Sequence, residues 1–214
     1  MNLPQWGREI DIDGITFEEA LNSIGYAGEK TNRLSEAKAY LELHVEQGPI
    51  LDNESIKIGV VECVIGMVRY NVEVVGESST SASTPMSMRK DAMFAANNLI
   101  TEARKKLSKL DDKLVYTIGR INVFPNIPTV IPNKVVFSIE ARHKDIKIIN
   151  QAEEIIQGLA KSSDKEECKV TTREIWKRYT TWFDKDIAKI IEQSAKTLGY
   201  SQKRVESGTG HDAR

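Results

Sequence analysis

The order of hydrophobic periodicities in the middle of this chain is the feature that most constrains its fold. The segment RYNVEVVGE (69–77) alternates apolar and polar residues, which is typical of a strand with one covered face. The segments LVYTIGRINVF (114–124), NKVVFSIEARH (133–143) and CKVTTREIW (168–176) also indicate strands. In NKVVFSIEARH the residues of one face are Val135, Phe137, Ile139 and Ala141, and those of the other are Lys134, Ser138, Glu140 and Arg142. The second face is therefore exposed to solvent or carries function.

Two stretches of helical spacing accompany these strands. The first follows the start signal STPMSMRKD (83–91) and the second follows the third strand. Their apolar stripes are Ala92, Ala95, Ala96, Leu99, Ile100, Ala103 and Leu107, and Ile148, Ile149, Ala152, Ile155, Ile156 and Leu159. The order strand, helix, strand, strand, helix, strand predicts a ferredoxin-like βαββαβ unit at residues 67–177, with a four-stranded antiparallel sheet and both helices on one face.

The flanking segments predict parts of a second architecture. At the front, TFEEALNSIG (16–25) and RLSEAKAY (33–40) indicate short helices, and YLELHVEQG (40–48) and KIGVVECVIG (57–66) indicate strands. At the back, a strand-like segment enters a Gly-rich turn after a helix that ends at Gly199 and carries Ile187, Ile190, Ile191, Ser194 and Leu198. The prediction is an α/β chain in which an α+β unit is inserted.

Composition excludes several classes of partner. The 30 basic and 31 acidic residues nearly cancel, so no global charge argues for binding to nucleic acid or to an anionic membrane. The start, MNLPQWGREIDIDG, lacks the basic and apolar segments of a secretory peptide, and no apolar run approaches the roughly 20 residues of a membrane span. Cys63 and Cys168 are far apart in the sequence, which fits a reducing compartment. We expect a cytoplasmic protein with small-molecule or protein partners.

Four ordered segments carry a resemblance to a known family: YLELHVEQGPILDNESIKIGVVECVIG (40–66), TPMSMRKDA (84–92), VIPNKVVFSIEARHKD (130–145) and SGTGHDA (207–213). Together they resemble the zinc-dependent amidases of the hydantoinase and carbamoylase group, relatives of the M20 metallopeptidases. This group includes N-carbamoyl-L-amino-acid hydrolases and allantoate amidohydrolases. The resemblance runs from about residue 11 to the last residue. It implies a partial catalytic domain at 1–66 and 178–214, and a lid at 67–177 that also forms a homodimer.

The resemblance implies a metal centre and a substrate site. His44 matches a ligand of the family's Zn²⁺ or Mn²⁺ ions, and the family's other ligands and its catalytic base have no counterpart between residues 1 and 214. Gln47, Arg142 and Gly210 match substrate-binding positions; Arg142 would hold a substrate carboxylate through a planar, two-pronged contact. His211 belongs to the surroundings of the site and His143 lies beside the arginine, and neither is assigned as a ligand.

Two family positions are altered in this chain. Thr80, in GESSTSASTPM (76–86), stands where the family has a histidine that stabilises the developing oxyanion, and Thr129 stands where it has a substrate-binding asparagine. A hydroxyl cannot become cationic as an imidazole can, so the first exchange weakens electrostatic stabilisation of the transition state. We therefore expect this chain alone to be inactive.

Three hypotheses about function follow. The first is metal-assisted hydrolysis of a linear C–N bond in an N-carbamoyl amino acid or an allantoate-like ureido acid. The second is a truncated, inactive remnant, and the third is a dimerisation or binding module. Read without the resemblance, His44 is a hydrogen-bonded strand histidine and Arg142 a solvated or ion-paired residue on a wet sheet face.

Overall fold

The computed structural model describes residues 10, 14–29, 31, 37–162 and 167–213. The chain divides into two units, one of residues 1–43 with Ala213 and one of residues 44–212 with Arg214. In the first unit, α1 (Phe17–Ser23) begins with a reciprocal cap, because the Thr16 hydroxyl accepts the N–H of Glu19 at 3.2 Å and the Glu19 carboxylate accepts the N–H of Thr16 at 2.8 Å. The helix predicted in TFEEALNSIG is thus confirmed.

The second predicted helix at the front is wrong where it can be checked. Residues 33–36 of RLSEAKAY lie outside the described residues, and residues 37–40 are not helical. The strand predicted at 40–48 is also wrong, since residues 40–46 belong to no strand within the part of the chain that the structure describes. A strand needs a ladder partner, and the apolar alternation of this segment does not supply one.

A small sheet in the larger unit consists of β1 (Ile58–Val64), β6 (Thr181–Trp182) and β7 (Gln202–Ser207). The strand order is β6-β1-β7. The central β1 pairs in parallel with β7 and antiparallel with β6, and α5 (Lys185–Thr197) packs on β1 and β7. The short α2 (Ile50–Asn53) precedes β1 along the chain. The strand predicted in KIGVVECVIG is confirmed.

The stripe predicted for α5 is partly wrong. Ala188 and Ala195 are the buried residues of this helix, whereas Ile190 is 61% exposed and Leu198, just beyond the helix, is 71% exposed. The helix ends as predicted, since Gly199 adopts a positive φ of 74° that suits glycine. Helical spacing located the helix, and of the residues that mark it Ile187 and Ile191 are half-buried.

The larger sheet and its two helices have these elements in chain order: β2 (Gly66–Val75), α3 (Ala92–Leu107), β3 (Val115–Phe124), β4 (Lys134–His143), α4 (Ile146–Gly158) and β5 (Lys169–Arg178). The sheet is antiparallel and has the order β3-β4-β2-β5. The two helices that pack on its central strands also pack on each other. This order of elements is the one that the periodicities predict.

One hydrophobic core lies between this sheet and its helices. Burial alternates along β4 as predicted, with Phe137 and Ile139 fully buried and Ser138 half-buried between them. All residues of the predicted α3 stripe are buried except Ile100, which is partly buried. Both helices begin at aspartate caps, Asp91 and Asp145, whose side chains accept backbone N–H groups of the first turn. The covered face of the sheet is thus fixed, and the opposite face carries Arg69, Glu140 and Arg142.

Thr180 ties the two sheets of the larger unit together. The chain passes from β1 to β2 through Ile65 and from β5 to β6 through Tyr179 and Thr180. The Thr180 hydroxyl accepts the N–H of Gly66 at 3.0 Å and donates to the Lys144 carbonyl at 2.7 Å. One hydroxyl therefore connects both chain crossings between the sheets, at Gly66 and at Thr180 itself, to the residue that follows β4.

None of the described helices is both long enough and apolar enough to span a membrane.

Candidate functional site

The turn after His44 has a defined local structure. His44 is exposed, and its Nδ1 lies 2.6 Å from the Val45 carbonyl oxygen. Gln47 has a φ of 52°, in the left-handed region that non-glycine residues seldom adopt. The Glu46 carboxylate accepts the N–H groups of Ile50 at 2.8 Å and Leu51 at 3.0 Å, and so satisfies the start of α2. In LHVEQG, Glu46 holds the turn while His44 and Gln47 remain exposed.

A second imidazole lies beside His44. His211, in the Gly-rich turn after β7, is half-buried, and its ring centroid is 4.6 Å from that of His44 with the ring planes at 77°. Its Nε2 lies 2.6 Å from the Ser207 hydroxyl. Sequence reasoning assigned His44 as a ligand and placed His211 only in the surroundings of the site. The GHDA motif is the signal that could have joined them.

Arg142 links the open face of the large sheet to the same turn. Its Nε donates to Glu140 at 2.5 Å, and its Nη1 donates to the Gly208 carbonyl. Arg69 donates to the other oxygen of Glu140 at 2.6 Å. Burial opposes the ionisation of Glu140, but the hydrogen bonds from Arg142 and Arg69 outweigh it and lower the pKa of this carboxyl below its usual 4.5. Glu140 thus orients the guanidinium that faces the Gly-rich turn.

We expect Glu140 to make stability depend on acid pH. Its pKa is lower in the folded chain than in the unfolded chain, so the ionised form stabilises the fold above about pH 4.5, and this contribution is lost as the pH falls through the folded-state pKa. Between about pH 5.5 and 3.5 the urea midpoint should therefore fall further in the wild type than in Glu140→Gln. Equal falls in the two proteins would show that this carboxyl is not linked to folding.

A second guanidinium on this face was missed from the sequence. Arg142 and Arg178 both pair with Met67, from the strands on its two sides, so they share the open face in one row. The Arg178 Nη2 donates to the Ile65 carbonyl at 3.4 Å, and a Cβ added to Gly210 would lie 3.5 Å from its Nη1. Position 210 therefore lies beside this guanidinium, at a distance where an added Cβ would make ordinary van der Waals contact. No motif of the sequence marked Arg178, whose position follows only from the register of the sheet.

The two altered family positions lie next to each other. Thr80 forms an isolated bridge with Val130, and the N–H of Ser81 donates to the Thr129 carbonyl at 3.0 Å. The side chains of Thr80 and Thr129 are both exposed. Within the described residues, Gln47 makes no hydrogen bond to either threonine or to Arg142. The structure thus brings together His44 with His211, Arg142 with the Gly-rich turn, and Thr80 with Thr129.

A cleft of about 1050 Å³ lies at the junction of the two sheets and contains none of the predicted site residues. Its polar side chains are largely engaged with one another: His143 lies 3.3 Å from Asp111, and Lys144 bonds Glu206 at 2.6 Å and lies over the Trp182 ring. The hydrogen bond that Lys144 donates to Glu206 raises the pKa of Lys144. These pairings engage several of the polar side chains that line the cleft.

Comparison with known proteins identifies the family. The profile of peptidase family M20/M25/M40 matches residues 15–214, so the chain belongs to this family. An allantoate amidohydrolase of Escherichia coli (strain K12) is 29% identical over 217 residues, which cover 95% of this chain and 50% of that protein. An N-carbamoyl-L-amino-acid amidohydrolase of Paenarthrobacter aurescens is 27% identical over 211 residues, covering 95% of this chain and 51% of that protein.

Solved structures agree with this assignment. An amidase of the hydantoinase/carbamoylase family from Burkholderia vietnamiensis superposes with a TM-score of 0.88 at 31% identity, and covers 99% of this chain and 52% of that chain. A family amidase from Burkholderia ambifaria superposes with a TM-score of 0.75 at 28% identity. The chain spans about half the length of the curated relatives that it matches. The family resemblance read from the motifs is confirmed.

Proposed function

We propose that this chain carries part of the active site of a metal-dependent hydrolase, one that cleaves linear C–N bonds in N-carbamoyl amino acids or allantoate-like ureido acids. The observation that carries the proposal is the convergence of His44, His211 and the Arg142 guanidinium on one Gly-rich turn. Imidazole nitrogens suit Zn²⁺, and a guanidinium suits a carboxylate. Relatives named as allantoate and N-carbamoyl-amino-acid amidohydrolases support the substrate class.

The side chains present fit part of a metal centre. His44 would hold Zn²⁺ or Mn²⁺, because its exposed ring donates from Nδ1 to the Val45 carbonyl and so leaves the lone pair of Nε2 available. A bound ion of this kind supplies a water of lowered pKa, about 7 for zinc. A catalytic zinc site usually takes three protein ligands, so His44 alone is not sufficient.

Arg142 would position the substrate. The side chain is already oriented by Glu140, so little side-chain entropy is lost when it contacts a carboxylate. The Gly208 carbonyl occupies one of its N–H groups, and a substrate carboxylate would take the place of that neutral acceptor. Gln47 and Gly210 would complete the substrate contacts, the first as an amide donor and the second as a position without a side chain beside Arg178.

The altered positions argue against turnover by this chain. Removing one oxyanion donor from a hydrolase costs roughly 10²–10³ in kcat, and the family histidine is Thr80 here. Thr129, whose carbonyl accepts the N–H of Ser81, stands where the family has a second polar substrate contact. We therefore expect the chain to bind a ureido acid without steady hydrolysis.

The test is calorimetric binding of N-carbamoylglycine, with ammonia release measured in parallel in the presence of ZnCl₂ or MnCl₂. We expect binding that is weakened at least about tenfold in Arg142→Gln, because a charge-assisted contact contributes about 1.5–3 kcal/mol. Arg173→Gln is the matched control, since Arg173 lies on the same sheet face and pairs with Asn71, away from the Gly-rich turn. Equal losses in the two variants would reject the substrate role of Arg142. Steady ammonia release by the wild type would reject the proposed inactivity.

A dimerisation role is the second candidate, and the edge of the large sheet favours it. β3 has a ladder partner on one side only among the described strands, and Val115, Ile121 and Phe124 along it are 44–55% exposed. A long apolar edge strand is a template for pairing with a second copy. We expect a homodimer in sedimentation experiments and a monomer for Ile121→Lys. A wild-type monomer at high concentration would reject this role.

A further inference from the structure

Arg69 is the second guanidinium that the Glu140 carboxylate holds on the open face of the large sheet. The Nε of Arg69 donates to Glu140 Oε2 at 2.6 Å and its Nη2 contacts the same oxygen, while the Nε of Arg142 donates to Oε1 at 2.5 Å. The sheet register agrees with these contacts, because Arg69 of β2 pairs directly with Glu140 of β4. Two guanidinia are therefore held close together, one at each oxygen of a single carboxylate.

Arg69 keeps hydrogen-bond donors that Glu140 does not use. A guanidinium has five N–H groups in a planar fork, and Glu140 engages the edge formed by Nε and Nη2. Among the described residues no other group accepts from Arg69, and its side chain is 38% exposed. Arg142, by contrast, also donates to the Gly208 carbonyl, and its side chain is 25% exposed. The Nη1 edge of Arg69 can thus contact an anion that enters from solvent.

The surroundings of Arg69 on this face are basic. The other carboxylate that the two central strands carry here is Glu73, which pairs with Lys134 at 2.6 Å. Three more cations lie on the face by strand register and form no ion pair among the described residues: Arg120, Lys169 and Arg173. The whole chain has a formal net charge of −1, so positive charge is concentrated on this face. A surface of this kind raises the local concentration of anions.

We propose that Arg69 binds a second carboxylate of the substrate, so that the site selects N-carbamoyl derivatives of dicarboxylic amino acids such as glutamate. The inference rests on the proposed function for the first carboxylate, which Arg142 would hold, and goes beyond it by naming the acid class and the residue that selects it. A ligand with two carboxylates a few carbon atoms apart can contact both guanidinia, because Glu140 holds them side by side. A neutral side chain would lose the charge-assisted contact with Arg69.

The experiment compares calorimetric binding of N-carbamoyl-L-glutamate and N-carbamoyl-L-glutamine, two ligands of nearly the same shape that differ in one charge. We expect the wild type to bind the glutamate derivative at least about fivefold more tightly, the upper value for a partly exposed ion pair. Arg69→Gln should bind the two ligands equally, and Arg69→Lys should keep part of the preference. Arg173→Gln is the matched control and should keep all of it, because Arg173 pairs with Asn71 and makes no contact with Glu140.

The outcomes separate this inference from the proposed function. Equal binding of the two ligands by the wild type, or an unchanged preference in Arg69→Gln, overturns the role of Arg69, while N-carbamoylglycine binding that depends on Arg142 still supports the proposed function. If none of the three ligands binds, both proposals fail. A general loss of structure weakens both ligands alike, so the ratio of the two affinities is the decisive quantity.

Salt dependence gives a second measurement, on the wild type alone. The preference for the glutamate derivative should decrease as NaCl rises from about 0.02 to 0.5 M, because salt screens exposed charges. A preference that does not change with salt would mean that the two ligands are distinguished by something other than the charge of Arg69, and it would overturn the inference.

Discussion

Phe137→Ala should destabilise the chain by about 3–5 kcal/mol, the range for removing a buried aromatic side chain and leaving a cavity. Phe137 is fully buried at the centre of β4, paired with Val72 on one side and Ile121 on the other. It is the largest fully buried side chain of the described residues, and it lies in the core between sheet and helices. Because small domains have a net stability of only about 5–15 kcal/mol, a large share of it would be lost. Urea unfolding followed by circular dichroism measures the effect.

The matched control is Val136→Ala, the neighbouring residue on the same strand. Val136 is half-buried and points to the open face of the sheet, so its truncation leaves no closed cavity. We expect a loss below about 1.5 kcal/mol. Comparable losses for the two variants would mean that the helices do not cover the face that carries Phe137.

Gly76→Ala should be the most damaging of the glycine substitutions. A Cβ at this position would lie 2.0 Å from the Lys90 carbonyl oxygen and 3.0 Å from the Cys168 Sγ. The Lys90 carbonyl accepts the N–H of Glu77 at 2.9 Å, so the backbone at that point cannot withdraw without losing a hydrogen bond. We expect a loss near about 3 kcal/mol, the upper part of the range for overpacking.

Gly119→Ala is the control for this substitution. Gly119 lies in β3, and a Cβ there would meet no atom within 4 Å. Alanine also reduces the entropy of the unfolded chain, by about 0.4–1 kcal/mol in favour of folding where the backbone conformation allows it. Urea midpoints should therefore separate the two variants clearly. If Gly76→Ala unfolds at the wild-type midpoint, β2 and the segment before α3 are not in contact as described.

Local periodicity predicted the strands and helices of the large sheet, because the apolar alternation or helical spacing of each element lies within its own segment. The alternation in β4 and the stripe in α3 both appear as burial in the structure. The same reasoning failed for residues 40–46, where an apolar alternation has no partner strand within the described residues. It also found only part of the buried face of α5, since spacing alone does not say that Ala188 and Ala195 are more buried than Ile187 and Ile191.

The site could be predicted only residue by residue. Family motifs marked His44, Gln47, Arg142 and Gly210, but the pairing of His44 with His211 joins positions far apart in the chain and depends on the fold. The same holds for Arg178, which reaches the turn because of the strand register. Contacts between residues so far apart in the chain cannot be predicted from any single segment of the sequence. The roles of the marked residues remain predictions that the binding experiments test.

The hydroxyl of Thr180 would be the pivot of a rotation of the two sheets of the larger unit about their shared hydrogen bonds. Both chain crossings between the sheets and the end of β4 meet at this group, so a rotation about it would have its axis near Gly66. The ten residues of β2 run from that axis to the segment that holds Thr80, a lever of about 33 Å at about 3.3 Å per residue. A rotation of about 5° at the hydroxyl would carry the far end of the strand by about 3 Å, comparable to the length of a hydrogen bond. Small angular changes at Thr180 would thereby be magnified at Thr80 and Thr129.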